Sequence, residues 1–412
     1  MKRWIWIPIV IVLVGIAITW RAFSMGVAHH PDVAATPEMV KRGEYLVRAA
    51  DCVSCHSAVG QAPFSGGREF DLGNLGKLYS PNITPDKETG IGNWSDDDFR
   101  AALQLGIGKG GVHLYPAFPY ASFTMLSDAD ALAIKAYLFS LPPVHNVPPP
   151  NAMRFPYDQR FLMAYWSWLF NPNRRFVADS TQSAEWNRGK YLVEGLGHCG
   201  ECHTSRNFMQ AVERSKAYGG AITQKWHAYD ISSDKDSGVG AWTDDALVSY
   251  LSTGLAAGHG PASGPMAEVV SNSLRHLPPD DIRAMVTYLR SVKPVAAQVR
   301  SAAASGPDVE VAYGRQVYAR ECANCHRLDG SAAQNPYENL QGGRTIADPQ
   351  AVNLTQVVLY GSSMGTPLGH IQMLGFGRGL TDTEIAALVN FASSQWGGHS
   401  ANLNAQDIAT RR

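Results

Sequence analysis

The sequence predicts a mainly α-helical protein in which three small helical domains follow one another after an N-terminal transmembrane helix. Three observations predict it. A Cys-x-x-Cys-His motif begins at Cys52, Cys199 and Cys322 and uses all six cysteines of the 412-residue chain. Each motif sits between two helix-forming runs of matching pattern. An apolar stretch from Trp4 to Trp20 follows Lys2 and Arg3 at the start of the chain.

The apolar stretch is the first element. Its 17 uncharged residues would rise about 26 Å as a helix, the short end of a membrane span. Trp4, Trp6 and Trp20 fall at its ends, where aromatic belts lie. Lys2 and Arg3 set a cytoplasmic N-terminus by the positive-inside rule. Residues 1–28 are therefore expected to be an anchor in the inner (cytoplasmic) membrane, with the bulk of the chain facing the periplasm. A cleaved signal peptide is the rival, with Val33-Ala34-Ala35 as its cleavage site.

The helix pairs come next. Arg42-Gly43-Glu44-Tyr45-Leu46-Val47, Arg188-Gly189-Lys190-Tyr191-Leu192-Val193 and Tyr313-Gly314-Arg315-Gln316-Val317-Tyr318 each open a helix before a motif. After each motif, Leu126, Leu277 and Leu380 are followed eleven residues later by Tyr137, Tyr288 and Phe391. Ser127-Asp128, Pro278-Pro279-Asp280 and Thr381-Asp382 supply helix-start residues between them. A glycine on one helix and an aromatic on the other would let the two cross closely.

The first two repeats share a further block, Asn82 to Trp94 and Asp230 to Trp242, each expected to lead into a helix capped by Ser95 or Thr243 with acids in its first turn. The expected domains are 36–145, 183–295 and 308–398. A linker over 146–182 includes the aromatic run Phe161 to Phe170, read either as a packed core helix or as an interfacial helix. A second linker occupies 296–307, and 399–412 form a tail. Hydrophobic content of 45% and charged content of 17% fit folded domains. A net charge of −1 points away from nucleic acid.

The motif dictates the chemistry. Cysteines at i and i+3 share a helix face and reach the two vinyl groups of one porphyrin, and the next residue, histidine, gives the iron its proximal nitrogen. Cys52, Cys55 and His56 would hold one covalent haem c, Cys199, Cys202 and His203 a second, and Cys322, Cys325 and His326 a third. Zinc would need paired motifs at finger spacing, which are absent. A histidine-bearing helix crossed by a C-terminal helix describes a class I cytochrome c domain, so the fold class is three such domains in tandem after the transmembrane helix. The sixth iron ligand is expected from a loop ahead of the last helix. Met266 and Met373 stand there, with Met364 a weaker competitor. In the first repeat the corresponding residue is Phe118, which cannot ligate iron, leaving Met125, His113 or an open position. No triad, P-loop or dinucleotide fingerprint provides a substrate-oxidising site, so the chain is expected to relay electrons and not to be an enzyme by itself.

Residues 38–397 resemble the tri-haem cytochrome c subunits of bacterial membrane-bound periplasmic dehydrogenases. The resemblance is carried by the three motifs, Asn82-Ile83-Thr84-Pro85-Asp86, His113-Leu114-Tyr115-Pro116-Ala117 and Gly264-Pro265-Met266-Ala267-Glu268-Val269-Val270. It implies a catalytic dehydrogenase partner (molybdopterin, quinoprotein or flavoprotein), a small further subunit, and ubiquinone as electron acceptor in a respiratory chain. Phe118 departs from the methionine that most such subunits carry, and is more like the aldehyde dehydrogenase branch than the alcohol branch. Trp94 and Trp242 fall where the family places residues near haem propionates.

Overall fold

The structure, a computed structural model, describes residues 6–295 and 308–412. The linker expected at 296–307 lies outside the described residues. The chain divides into two compact units. Met1–Glu201 with Arg206–Val212 forms the first, and Cys202–Ser205 with Glu213–Arg412 the second.

In the first unit α1 spans Trp6–Phe23, followed by α2 (Pro37–Ala49), α3 (Cys52–His56), α4 (Asp96–Leu105), α5 (Tyr120–Phe123), α6 (Asp128–Ser140), α7 (Leu162–Phe170) and α8 (Ala184–Lys190), which runs into a π-turn over Tyr191–Leu196. The core is the crossing of α2 and α6. Thr36 caps α2 by accepting from the Met39 N–H, with Pro37 in its first turn. Ser127 caps α6 by accepting from the Asp130 N–H. Gly43 lies at the crossing: a Cβ there would overlap the Ala133 carbonyl oxygen and lie 2.8 Å from the Tyr137 Cβ. The glycine and aromatic of the sequence pattern meet as expected. Ser95 and Asp98 form a reciprocal capping box on α4, which ends at Gly106 in the left-handed region. Three short antiparallel strands flank these helices, β1 (Glu69–Asp71), β2 (Gly76–Tyr79) and, after the β3–β4 hairpin (Ile107–Gly108, Val112–His113), β5 (Ala152–Met153), with β2 central.

Helix α7 is fixed into this unit. Trp166 is buried and its Nε1 donates to the Met209 carbonyl at 2.8 Å, and Ser167 Oγ donates to the Leu105 carbonyl at 3.1 Å. Residues Ala28 to Val33 form a strap over the N-terminus of α4. Val33 N donates to Asp96 Oδ2 at 2.8 Å, Asp96 N to Asp32 Oδ1 at 2.8 Å, and His29 Nδ1 meets Asp97 Oδ2 at 2.5 Å.

The expectation of a transmembrane anchor over 1–28 is corrected here. Among the described residues no helix is long and apolar enough to cross a membrane. Residues 1–5 of that expected anchor lie outside the described residues. Of α1, Arg21 occupies the last turn. Its C-terminal end packs on the globular unit: Ala22 is fully buried, Thr19 Oγ1 lies 3.1 Å from the Tyr165 hydroxyl, and the Phe23 ring meets His113 and Tyr165 edge-on at 5.5 and 5.8 Å. Val12, Leu13, Val14, Ile16 and Trp20 on the same helix are exposed. The placement of the chain at the inner membrane through an N-terminal anchor, with its bulk in the periplasm, rested on that helix and is corrected with it.

The second unit holds α9 (Gly200–His203, which begins in the first unit's stretch of chain), the β6–β7 hairpin (Ala221–Thr223, Trp226–Ala228), α10 (Asp244–Thr253), the β8–β9 hairpin (Leu255–Ala256, Gly260–Pro261), α11 (Gly264–Asn272) and α12 (Pro279–Ser291). It continues with α13 (Asp308–Glu321), α14 (Ala323–His326), α15 (Arg344–Ala347), α16 (Val352–Tyr360), the hairpin β10 (Gly361–Thr366) and β11 (Gly369–Leu374), α17 (Asp382–Trp396) and α18 (Ala405–Arg411). Thr243 caps α10 through the Ala246 N–H. Val317, Leu354, Val358, Ile385, Leu388, Val389 and Phe391 form one apolar cluster. The α13–α17 crossing repeats the first: a Cβ on Gly314 would overlap the Ala387 carbonyl oxygen and lie 2.7 Å from the Phe391 Cβ. Residues beyond 398, expected as a tail, include α18, whose Ile408 is fully buried and whose Arg411 donates to the Ala351 carbonyl at 3.1 Å.

Candidate haem sites

Each Cys-x-x-Cys-His motif folds as a short helix that breaks away from the helix before it. At the first site Asp51 makes the break in the left-handed region (φ 49°), and its Oδ1 accepts from Ser54 Oγ at 2.6 Å. Helix α3 then carries Cys52, Cys55 and His56 together. Cys52 is half-buried and Cys55 exposed, and neither forms a disulfide. Burial, with the nearby Asp51 and Cys55, pushes the Cys52 thiol up to about 12. At the second site the π-turn ends at Gly197 and His198 turns the chain (φ 38°). Cys199 belongs to the first unit's stretch of chain, Cys202 and His203 to the second's. At the third, α13 ends just before Cys322, and α14 carries Cys325 and His326. Burial and the nearby Glu321 and Cys325 push the Cys322 thiol up to about 12. Both thiols are thus held in the neutral form.

The three histidines share one hydrogen-bonding device. His56 Nδ1 lies 2.9 Å from the Pro81 carbonyl, His203 Nδ1 2.6 Å from the Tyr229 carbonyl, and His326 Nδ1 2.5 Å from the Glu338 carbonyl. A carbonyl can only accept, so Nδ1 carries the proton in each ring and Nε2 presents a lone pair. A backbone partner on Nδ1 that fixes tautomer and ring orientation is how proteins prepare a histidine for iron. Burial pushes the His56 and His203 imidazoles down, against the opposing pull of the Pro81 and Tyr229 carbonyls. The neutral, ligating form is therefore favoured at those two positions.

Sequence reasoning missed Pro81, Tyr229 and Glu338. Pro81 and Tyr229 stand directly before the block shared by the first two repeats, and that block holds them. Asn82 Oδ1 accepts from Thr84 N at 2.9 Å while its Nδ2 donates to the Val144 carbonyl at 2.7 Å. In the second repeat Asp230 Oδ1 accepts from Ser232 N at 2.7 Å and Oδ2 from Ser237 Oγ at 2.7 Å. Both anchoring side chains are buried. The third repeat reaches the same end with a capping box, in which Asn335 and Glu338 exchange hydrogen bonds.

The candidate sixth ligands fall in different settings. Met266 lies in the first turn of α11 and is half-buried. Met373 is half-buried on β11, paired with Ser362. Met364, on the facing strand, is only 2% exposed, and its Cε would lie 2.7 Å from a Cβ on Gly254, so it fills core against the second repeat. At the first site the Phe118 ring packs on Phe123 at 5.5 Å and borders the cluster of Tyr120 and Trp166. Met125 is half-buried beside Gly195. His113 sits on β4, its imidazole pushed down by burial, and its Nδ1 is buried with no partner. Trp242 stacks on His259 with ring centroids 3.7 Å apart.

Known proteins match this arrangement. The family model described as cytochrome c matches residues 40–142 and 311–396, which contain the first and third motifs. The gluconate 2-dehydrogenase cytochrome c subunit of Pantoea cypripedii is 38% identical over 407 residues, covering 92% of this chain and 91% of the relative. The fructose dehydrogenase cytochrome subunit of Gluconobacter japonicus is 35% identical, with 92% and 82% covered. The cytochrome c subunit of the quinone alcohol dehydrogenase of Gluconobacter oxydans is 36% identical, with 96% and 86% covered.

Proposed function

This chain belongs to the cytochrome c subunits of dehydrogenase complexes, electron-transfer and not catalytic subunits that carry covalent haem c, and from that premise we propose that it holds three haems and relays electrons from a catalytic dehydrogenase partner to ubiquinone. The observation that carries the haem count is the Nδ1–H to carbonyl bond repeated at His56, His203 and His326. In this reading Cys52 and Cys55, Cys199 and Cys202, and Cys322 and Cys325 form the thioether bonds. His56, His203 and His326 would be the proximal ligands, and Met266 and Met373 would supply sixth ligands to the second and third. The first haem, with Phe118 in the expected place, takes Met125, His113 or no sixth ligand.

Bound haem supplies reversible one-electron exchange between ferric and ferrous iron. The protein residues supply what surrounds it. The carbonyls of Pro81, Tyr229 and Glu338 hold each imidazole in the ligating tautomer, and the thioethers fix the ring without a dissociation step. Thioether ligation at two sites raises potential relative to paired histidines, which suits acceptance of electrons from a dehydrogenase. The partner in this reading is an aldehyde or alcohol dehydrogenase of the molybdopterin, quinoprotein or flavoprotein kind, with a small further subunit. The named relatives act with gluconate, fructose and alcohol dehydrogenases.

Two measurements test this. Pyridine haemochromogen absorbance with intact mass should give three haems bound to each denatured chain, and two or fewer would refute the count. The complex purified through this chain should show haem reduction on adding an aldehyde or alcohol and reoxidation on adding a ubiquinone analogue. A purified chain that oxidises either substrate without another subunit would refute the relay.

A further inference from the structure

In the second unit the third repeat reaches onto the proximal side of the second site. The contact begins with two glycine turns. A Cβ on Gly260 would lie 2.8 Å from the Gly343 Cα, and one on Gly342 2.8 Å from the Gly258 carbonyl oxygen. Backbone meets backbone there, with no room for a side chain. The next residue, Arg344, donates its N–H to the His259 carbonyl at 3.1 Å. With its main chain pinned, the Arg344 side chain enters the second repeat. Its guanidinium carbon stands 4.7 Å from the centre of the Tyr229 ring, and Nη1 donates to the Asp230 carbonyl at 3.2 Å. Tyr229 is the residue whose carbonyl orients His203.

Two carboxylates share this surround, and both attract the guanidinium, offsetting part of its field. Asp230 accepts from Ser232 N and Ser237 Oγ, and buried Asp348 pairs with His227 Nδ1 at 3.1 Å. The guanidinium itself is spent on a ring face and a backbone carbonyl. It is a permanent cation, half-buried, one peptide away from the bond that fixes the second proximal histidine.

We propose that Arg344, contributed by the third repeat, is the positioning residue that sets the redox balance of the second haem, its fixed charge favouring the ferrous over the ferric state. The proposal rests on the haem assigned above to Cys199, Cys202 and His203. Gaining one electron removes one positive charge from the iron centre. A fixed cation nearby in a medium of low dielectric therefore makes the reduced state more favourable. It also makes the second site's potential depend on docking of the third repeat.

The test is a spectroelectrochemical titration of the full-length haem-loaded protein. Cys199→Ala leaves one vinyl group unsaturated on the second haem and shifts its absorption to longer wavelength, marking its wave among the three. In that background Arg344→Gln, which keeps a polar donor but not the charge, should lower the marked wave's reduction equilibrium about tenfold, about 59 mV for one electron. The other two waves should stay, and Arg344→Lys, which keeps the charge, should hold the marked wave near its original potential. An unmoved marked wave in Arg344→Gln, an equal fall in Arg344→Lys, or a common shift of all three waves would overturn the proposal. If Cys199→Ala marks no wave, the haem assignment itself fails, and that outcome is distinct from the others.

Discussion

Gly43 and Ala133 approach so closely that a side chain on the glycine would overlap the alanine's carbonyl oxygen, and Gly314 stands in the same relation to Ala387. The two crossings lie in different repeats and different units. The same spacing, with Tyr137 or Phe391 one turn further on, closes both. The two crossings clamp the helices that lead directly into the first and third motifs. Gly43→Ala and Gly314→Ala should each destabilise the protein by about 1–3 kcal/mol through overpacking, seen as a lower Tm in thermal melts of the haem-loaded protein. Gly15→Ala is the control. Nothing lies within 4 Å of a Cβ at that helical position, so the change should be neutral or stabilise by up to about 1 kcal/mol.

The Pro81 carbonyl that orients His56 is followed directly by Asn82, which is 2% exposed and ties the loop to Val144 and Thr84. Asn82→Ala leaves the Val144 carbonyl and the Thr84 N–H without that partner, at a cost of about 1–3 kcal/mol for each group left unsatisfied. The expected signature is local. The first haem's proximal bond loosens, its spin-state marker bands shift from those of the unsubstituted protein, and the second and third haem spectra stay as they were. Resonance Raman would read this, and a variant whose first-haem bands match the unsubstituted protein would show that Asn82 does not support His56.

Acid should release the strap of Ala28 to Val33. Burial raises the Asp97 carboxyl, but the Arg100 hydrogen bond, then those of His29 and His30, outweigh it and hold it below the usual carboxylate range. Asp128 is likewise held low, its burial outweighed by Gln104 and Arg100. A carboxylate whose folded value is depressed stabilises the fold above its unfolded value, near 3.9, and that stability is lost as pH falls through the folded value. The window therefore opens at about pH 4 and extends downward. Hydrogen exchange of residues 28–33 should accelerate there before the α2–α6 core exchanges. Arg100 is 2% exposed and donates to Asp97, to Asp128 at 2.8 Å and to the Ala28 carbonyl at 2.7 Å. Arg100→Met should cost about 1.5–3 kcal/mol, because it removes charge-assisted hydrogen bonds to the partly exposed Asp97 and Asp128 carboxylates, and should expose the strap to protease at neutral pH.

The elements that side chains specify were legible in the sequence. Ser95, Thr243 and Thr381 cap the helices they precede, and the glycine and aromatic spacing marks two crossings that the structure closes. What the sequence hid is carried by backbone. The acceptors for His56, His203 and His326 are carbonyl oxygens, and every residue has one, so no residue type marks Pro81, Tyr229 or Glu338. Their only trace was the block shared by Asn82 and Asp230, visible as a repeat but silent about its purpose. The hairpin of β10 and β11 was hidden for a related reason. Gly361-Ser362-Ser363-Met364-Gly365-Thr366 has the composition of a loop, and only its pairing with Gly369–Leu374 makes it a ribbon. The apolar run at the N-terminus misled in the opposite direction. Hydropathy saw a span, whereas Ala22 and Phe23 are bound to the first unit's own surface.

That hairpin places Met373, the expected sixth ligand of the third repeat, and its weaker competitor Met364 in different surroundings. Met364 and Met373 lie on paired strands, Met364 facing Ile371 and Met373 facing Ser362. Met364 is 2% exposed and packed against Gly254, while Met373 is half-buried. A sulfur already surrounded by core has no face left for iron, whereas a half-buried one retains a side that a haem edge can cover. Met364→Ala should therefore cost about 2–5 kcal/mol through the cavity it leaves while the third haem keeps its thioether ligand. Met373→Ala should do the reverse. Stability changes little, the third haem's thioether-to-ferric charge-transfer absorption disappears, its potential falls, and the reduced protein gains one carbon monoxide-binding haem. Tm and the carbon monoxide difference spectrum, measured on both variants, separate the two roles, and a Met364→Ala protein that loses ligation while Met373→Ala keeps it would reverse the assignment.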